Sequence, residues 1–158
     1  MENSKVIIDN SGKLIIENAR LLYRNFSGVA SQFNHEGDRN FCVIIDNPDA
    51  VADLVDAGWN VKIRAPREEG DTALNYIKVN VSFRYKAPKI IRHINGTAID
   101  VTEDTVGELD KDDIKFCDMV IAPYKWSRKD EEGISAYVQE LHAVIRPDYF
   151  KDKYDNVE

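Results

Sequence analysis

The stretch Pro123-Tyr124-Lys125-Trp126 places an aromatic ring, a cation and a second ring in an order that suits a single nucleic-acid strand. Flat rings can stack on unpaired bases, and a cation between them can neutralise the intervening phosphate. The stretch follows an alternating strand pattern from Cys117 to Ala122 and precedes a polar turn, so it would lie near a hairpin end. Ordinary hairpin packing, with Trp126 covering one face of a sheet, is the alternative, because aromatic residues favour strands whatever their role.

The same combination of rings and cations recurs at two other predicted strand ends. Tyr23-Arg24-Asn25-Phe26 ends the first long strand, and Phe83-Arg84-Tyr85-Lys86 ends the clearest strand. Together the three ends indicate a surface for single-stranded nucleic acid. The predicted phosphate contacts are Arg24, Lys62, Arg64, Lys78, Arg84, Lys86 and Lys125, and the predicted stacking faces are Tyr23, Phe26, Tyr76, Tyr85, Tyr124 and Trp126. Phe26 and Tyr85 are the two members of this set best suited to the core instead.

Residues for catalysis do not form a convincing set. The run His35-Glu36-Gly37-Asp38 offers metal-ligating types, but no second cluster follows at a useful spacing, and a solvated turn is the simpler interpretation. No Gly-rich phosphate loop is present. Cys42 and Cys117 sit in apolar strand patterns without a Cys-x-x-Cys spacing, which indicates reduced core thiols. We therefore expect no enzyme, metal site or cofactor, and a small nuclease using the His35 loop is the weaker rival.

Charge is segregated along the chain. The 158 residues carry a net charge of -7, which at first argues against a polyanionic partner. Residues 59–95, however, contain eight Lys or Arg against three acids, whereas residues 100–118 contain eight acids against two Lys. This pattern suits a protein that holds a polyanion on one face and repels it elsewhere. The alternative is an acidic protein-interaction or anti-defence module that mimics nucleic-acid charge.

Alternating and continuous apolar segments predict mostly β structure. A long strand from Lys13 to Tyr23, paired with Val6 to Ile8, precedes a polar loop. The other predicted strands are Phe41 to Ile45, Trp59 to Ala65, Tyr76 to Lys86, Ile90 to Ile94, Thr97 to Val101, Cys117 to Ala122 and Ile134 to Ile145. Asn95-Gly96 predicts a type I′ hairpin turn. Asn47 and Pro48 predict the start of a helix that ends at Gly58, with Val51, Leu54 and Val55 as its apolar stripe. Thr102 to Asp113 predicts a short acidic helix or helical turn with Val106 and Leu109 turned inward.

Short strands with only two small helices exclude a doubly wound α/β fold. We predict a mainly β protein with an OB-fold-like Greek-key barrel and one or two short helices, and a two-sheet sandwich is the alternative. The expected organisation is one domain over residues 1–147 and a short flexible tail over residues 148–158. No membrane-length apolar run or signal-peptide layout is visible, so we expect a cytoplasmic protein.

The closing segment resembles the last hairpin of the single-stranded DNA-binding proteins of tailed bacteriophages. Met119 to Trp126, a turn, and Gly133 to Val144 match that family's Pro-Tyr-x-Trp strand and the strand after it, and Ile15 to Leu21 is similar to its first strand. The resemblance implies an OB-fold and sequence-tolerant binding of single-stranded DNA in phage replication or recombination, within the host cytoplasm.

The C-terminus departs from this family. Well-known members carry a long acidic tail that ends in an aromatic residue and recruits replication proteins. Here Lys151 and Lys153 dilute the acids, and Val157-Glu158 ends the printed sequence. Single-stranded DNA is therefore the expected partner, replication or recombination proteins and a homodimer are further partner hypotheses, and recruitment through the tail is the implied property most in doubt.

Overall fold

The computed structural model describes residues 4–147 and residue 150, and the predicted tail over residues 148–158 otherwise lies outside the described residues. Ten strands in this part of the chain join into one sheet. They are β1 (Lys5–Ile8), β2 (Leu14–Ala19), β3 (Leu21–Asn25), β4 (Arg39–Ile44), β5 (Lys62–Arg64), β6 (Leu74–Val81), β7 (Lys89–Ile94), β8 (Thr97–Val101), β9 (Ile114–Arg128) and β10 (Glu131–Ile145). One α-helix, α1 (Pro48–Asp56), and one 3-10 helix (Val106–Asp110) complete the elements of the described residues.

The predicted first strand is interrupted, and this interruption closes the sheet on itself. Asn18 has a φ of 58°, and the strand divides at Arg20 into β2 and β3. β2 pairs antiparallel with β9, whereas β3 pairs antiparallel with β4. One chain segment therefore pairs with β9 through β2 and with β4 through β3, as in a partly open barrel, and β1 extends the sheet beyond β2.

The remaining pairings complete the Greek key. β4 pairs antiparallel with β6, β6 pairs in parallel with β10 at Val79 and Asn80, and β10 forms a long antiparallel hairpin with β9. Because β6 and β10 are parallel and far apart in sequence, the chain must cross over between them, as it does in a Greek key. The OB-like prediction is confirmed, and the described strands form one connected sheet rather than the two sheets of a sandwich.

The core comes from the inward side chains of the barrel strands. Alternation along β6 turns Ile77, Val79 and Val81 inward, and all three are buried. Phe26 and Phe41 are fully buried and stack at a ring-centroid distance of 5.1 Å. These rings fill the barrel end where β3 leads into the polar loop.

Helix α1 begins as the sequence predicts. The Asn47 side chain accepts a hydrogen bond from the Asp49 amide at 2.9 Å, and Pro48 occupies the first turn. Leu54 is fully buried, but Val55, predicted to lie on the apolar stripe, is exposed, and Ala50 is buried in its place. No helix in the described ranges is long and apolar enough to cross a membrane.

The β7–β8 hairpin and the 3-10 helix form an appendage to the barrel. Asn95 and Gly96 both have positive φ, at 50° and 78°, as the predicted type I′ turn requires. Val106 and Leu109 of the 3-10 helix are fully buried, as predicted. Arg92 on β7 donates two 2.8 Å hydrogen bonds to the carboxylate of Asp112, which follows the 3-10 helix, and so joins this helix to the hairpin. The ion pair raises the pKa of Arg92. β7 also pairs in parallel with β10, which fixes the hairpin to the barrel wall.

Candidate nucleic-acid interface

A cationic, aromatic surface lies on the outer side of β5 and β6. We call the outward side chains Lys62, Arg64, Tyr76, Lys78 and Asn80 the β5–β6 face. Lys62 is directly opposite Tyr76 in the antiparallel pairing, which brings a cation beside a ring. Because Ile77, Val79 and Val81 fill the core, strand alternation turns Tyr76, Lys78 and Asn80 outward.

Tyr23 reaches this face from β3. Its φ of 52° marks an irregularity between the Leu22 and Asn25 pairings, and its ring meets the Tyr76 ring edge-on at 5.9 Å. The Arg64 guanidinium and, to a smaller extent, the Arg67 guanidinium interact with the phenol and lower the pKa of Tyr23. Two predicted stacking residues, Tyr23 and Tyr76, and the predicted cation Arg64 therefore form one cluster, with Tyr23 about half exposed at 48%.

A shallow groove of about 200 Å³ continues the face toward β10. Lys62, Lys78, Asn60 and Ser135 line it, together with part of Trp59. The Asn80 amide donates to the Ala136 carbonyl at 3.2 Å and so fastens the strand pair at the groove edge. Lys62 and Lys78 both line the groove, and Lys78 is opposite Cys42 of β4. Burial raises the pKa of the Cys42 thiol, and the charges of these two lysines oppose that rise. The groove is therefore open, narrow and positively charged.

The end of the β9–β10 hairpin flanks this groove. Tyr124, exposed at 61%, is opposite Ser135 and meets the Tyr137 ring edge-on at 6.3 Å. Trp126 is opposite Gly133, and a Cβ atom placed on Gly133 would lie only 2.6 Å from the indole. The half-buried indole is thus seated on the backbone of β10, while Lys125 between the two rings is exposed. Tyr124 and Trp126 lie on the same side of β9, whereas Lys125, between them in the alternation, points to the opposite side.

Two predicted contacts have other roles in the structure. Phe26 is fully buried against Phe41, so a base cannot reach its ring and the core alternative applies. Arg24 uses one guanidinium nitrogen to donate to the Leu109 and Asp112 carbonyls, at 2.8 and 2.7 Å. These bonds tie β3 to the segment before β9, which makes Arg24 a structural residue.

Arg84, Tyr85 and Lys86 lie beyond the end of β6, because the strand stops at Val81 rather than continuing to Lys86 as predicted. Tyr85 is 98% exposed, so the core alternative for this ring is wrong. All three side chains extend from a loop at the far end of β6 from the Tyr23–Tyr76 pair. They are accessible, but they are not part of the β5–β6 face.

The structure adds contributors that the sequence reasoning missed. Arg67 follows β5 in a charged turn, and its effect on Tyr23 depends on a fold contact that no local pattern shows. Tyr137 alternates with the buried Ala136 and Val138, and this alternation was the available signal for an outward ring. Phe33, in the loop between β3 and β4, is 86% exposed.

Other chemistries find little support in the described residues. No group of three or more His, Cys, Asp or Glu side chains in the described part of the chain is placed to hold a metal ion. Burial raises the pKa of the Cys117 thiol to about 12, so this group is a poor nucleophile. His93 and His142 share a 2.9 Å hydrogen bond between β7 and β10. The Glu140 carboxylate bonds to the other ring nitrogen of His142 at 2.6 Å, and this second bond lowers the pKa of Glu140.

Comparisons with known proteins agree with this geometry. Residues 3–158 match the family model described as "Putative phage ssDNA-binding domain". No curated protein matches the chain. The fold is similar to the single-stranded DNA-binding protein from bacteriophage Enc34, at 13% identity and a TM-score of 0.56 over 87% of this chain and 83% of that chain. It is also similar to the Enc34 protein in complex with ssDNA, at 13% identity and a TM-score of 0.58 over 90% of this chain and 92% of that one.

Proposed function

The chain belongs to the phage ssDNA-binding domain family, and from this premise we propose that it binds single-stranded DNA on the β5–β6 face during phage replication or recombination. The observation that carries the choice of surface is the cluster of Tyr23, Tyr76 and Arg64 beside Lys62. Rings and cations on one face supply both terms of single-strand binding. We further propose that the protein binds DNA without cutting it.

Sequence tolerance follows from the chemistry of the face. Every base has a flat face that can stack on Tyr76, whereas discrimination among bases requires directed hydrogen bonds to base edges. Asn80, a polar residue of the face with donor and acceptor atoms, already donates to the Ala136 carbonyl. Lys62 and Lys78 supply charges that attract phosphate without selecting a base. The face is therefore suited to coating a strand of any sequence.

The rival interpretation, an acidic mimic of nucleic acid, is weakened by what the acids of residues 100–118 contact. The Asp110 carboxylate accepts hydrogen bonds from the Phe26 and Ser27 amides at 2.7 and 2.9 Å. Asp112 binds Arg92, and Asp113 binds Arg146 at 2.9 Å. These carboxylates hold the appendage and the β3 end in place, so their charge is partly neutralised within the chain. The net charge of -7 is compatible with DNA binding because the β5–β6 face, as defined above, contains three cations and no acid.

The proposed surface predicts a specific change in salt dependence. Binding of labelled oligo-dT, followed by fluorescence anisotropy at several salt concentrations, should weaken as salt rises, with a logarithmic slope of about -0.7 per phosphate contacted. The double variant Lys62→Ala/Lys78→Ala should bind more weakly at low salt. Its slope should be shallower by roughly 1.4, because two phosphate contacts are lost.

Lys111→Ala is the matched control, since this exposed lysine belongs to the acidic segment. It removes the same type of charge and should leave the slope unchanged. A Lys62→Ala/Lys78→Ala protein with the slope of the unmodified protein would show that the DNA lies on another surface. Cleavage of the oligonucleotide in the same samples would contradict the proposal that the protein only binds.

A further inference from the structure

The loop of residues 26–38 presents one aromatic ring to solvent in a fixed position. Phe33 is 86% exposed at a tight turn in which the Ser31 amide donates to the Asn34 carbonyl at 2.9 Å. The Phe33 amide donates to the Ser31 hydroxyl at 3.1 Å. The exposed ring on this ordered turn is available to stack on a base.

The stem of the same loop is held by side-chain amides. The Asn34 amide nitrogen donates to the carbonyls of Val29, His35 and Asp38, each at 3.0 Å, and Asn40 donates to the Asn34 oxygen at 2.9 Å. Gly28 and Gly37 also approach closely, because a Cβ atom on Gly28 would lie 3.0 Å from the Gly37 carbonyl carbon. This network orders the loop before any ligand arrives, so little conformational entropy is lost when Phe33 makes a contact.

A second exposed ring lies at the same end of the barrel. Tyr85 is 98% exposed in the loop of residues 82–88, between the cations Arg84 and Lys86. Arg39, which begins β4 after the Phe33 loop, is opposite Val81, which ends β6 before the Tyr85 loop. The Arg39 guanidinium also lies 5.8 Å from the centre of the Phe83 ring. The two loops therefore leave the barrel side by side.

We infer that Phe33 and Tyr85 form a second base-stacking station, and that a longer single strand continues from the β5–β6 face along β6 onto these two loops. The inference rests on the proposed function and specifies how far the bound strand extends over the protein surface. Tyr76 and Val81 mark the two ends of the path, which at about 3.3 Å per residue lie roughly 17 Å apart. Rings lie at both ends of this path and Lys78 lies between them, so the path offers both stacking faces and a phosphate contact. Arg84 and Lys86 supply phosphate contacts at the second station.

The test compares two oligonucleotide lengths. Single strands of about four and about sixteen nucleotides span the range of site sizes known for one OB-fold. Phe33→Ala and Tyr85→Ala should each weaken binding of the longer oligo-dT by about fivefold to a hundredfold, the effect of losing one base stack. Both variants should bind the shorter strand as the unmodified protein does, because that strand is held on the β5–β6 face.

Val29→Ala is the matched control, since it removes an exposed apolar side chain from the same loop without removing a ring. Phe33→Tyr should restore binding of the longer strand. Equal weakening at both lengths would overturn the inference, because the rings would then belong to the primary site. Unchanged binding at both lengths would also overturn it and would favour a protein partner for the rings. If the unmodified protein bound neither length, the proposed function itself would be wrong.

Discussion

Replacing Tyr76 with alanine should weaken oligo-dT binding by about fivefold to a hundredfold, because a base would lose the ring at the centre of the β5–β6 face. Tyr76 contacts Tyr23 on one side and is opposite Lys62 on the other, so its ring can hold a base within reach of a phosphate contact. The same loss is expected for oligo-dA and oligo-dC. Anisotropy titrations with the three homopolymers measure both the size of the loss and its independence of sequence.

Tyr76→Phe is the informative control, because it keeps the ring and removes only the hydroxyl. It should bind nearly as well as the unmodified protein. Tyr23→Ala/Tyr76→Ala should bind more weakly than either single variant, and melting curves of all variants would show how much of the folded state remains. A folded Tyr76→Ala protein with unchanged affinity for every homopolymer would remove this ring from the interface.

Replacing Phe26 with alanine should lower the free energy of unfolding by about 3 to 5 kcal/mol, the usual cost of removing a fully buried phenylalanine. The ring stacks on Phe41 inside the barrel, and the backbone amide of Phe26 is fixed by Asp110. Neighbouring side chains can therefore collapse only partly into the cavity. Thermal or denaturant unfolding measures the loss, with an expected fall in melting temperature of roughly 6 to 20 °C.

Phe33→Ala is the matched comparison for stability, because it removes the same ring from an exposed position. Its melting temperature should stay close to that of the unmodified protein. The Phe26→Ala protein that remains folded at low temperature should bind oligo-dT normally. Unchanged stability together with lost binding would return Phe26 to the interface and contradict its assignment to the core.

Local signals explain the parts of the fold that the sequence predicts well. The Asn95-Gly96 turn and the Asn47 cap depend on backbone geometry within a few residues, so the residue types are sufficient. The inward row of β6 likewise follows from strict alternation. These elements, together with the resemblance at the closing hairpin, predict the OB-like architecture.

Tertiary contacts explain the parts that the sequence reasoning assigned wrongly. The run from Lys13 to Tyr23 contains no Gly or Pro and so predicts one strand, but the chain changes direction near Asn18, and no residue type there requires this change. Arg24 carries the same charge as Lys78, yet its guanidinium donates to the carbonyls of Leu109 and Asp112, which lie 85 and 88 residues further along the chain. A ring-and-cation pattern at a strand end therefore identifies candidates, while burial decides which of them face solvent.

The same limit applies to the two rings that the sequence treated as the best core candidates. Phe26 and Tyr85 each follow a cation near a strand end, but one is fully buried and the other is 98% exposed. The difference arises because β6 stops at Val81, five residues earlier than its pattern suggests, which releases Tyr85 into a loop. A strand ends where its pairing with a neighbouring strand ends. Val81, opposite Arg39, is the last residue of β6 that pairs with β4.

The most direct test of the central claim is photo-crosslinking of the full chain to an oligonucleotide that carries a halogenated uracil, followed by mapping of the modified residues. Zero-length crosslinks form where a base contacts a ring, so they identify the surface without relying on a substitution. We expect adducts on Tyr23 and Tyr76, with further adducts on Tyr124 or Trp126 at the hairpin end, and competition by unlabelled oligo-dT. Adducts confined to α1 or to the β7–β8 hairpin, with none on Tyr23 or Tyr76, would contradict the β5–β6 face as the DNA-binding surface.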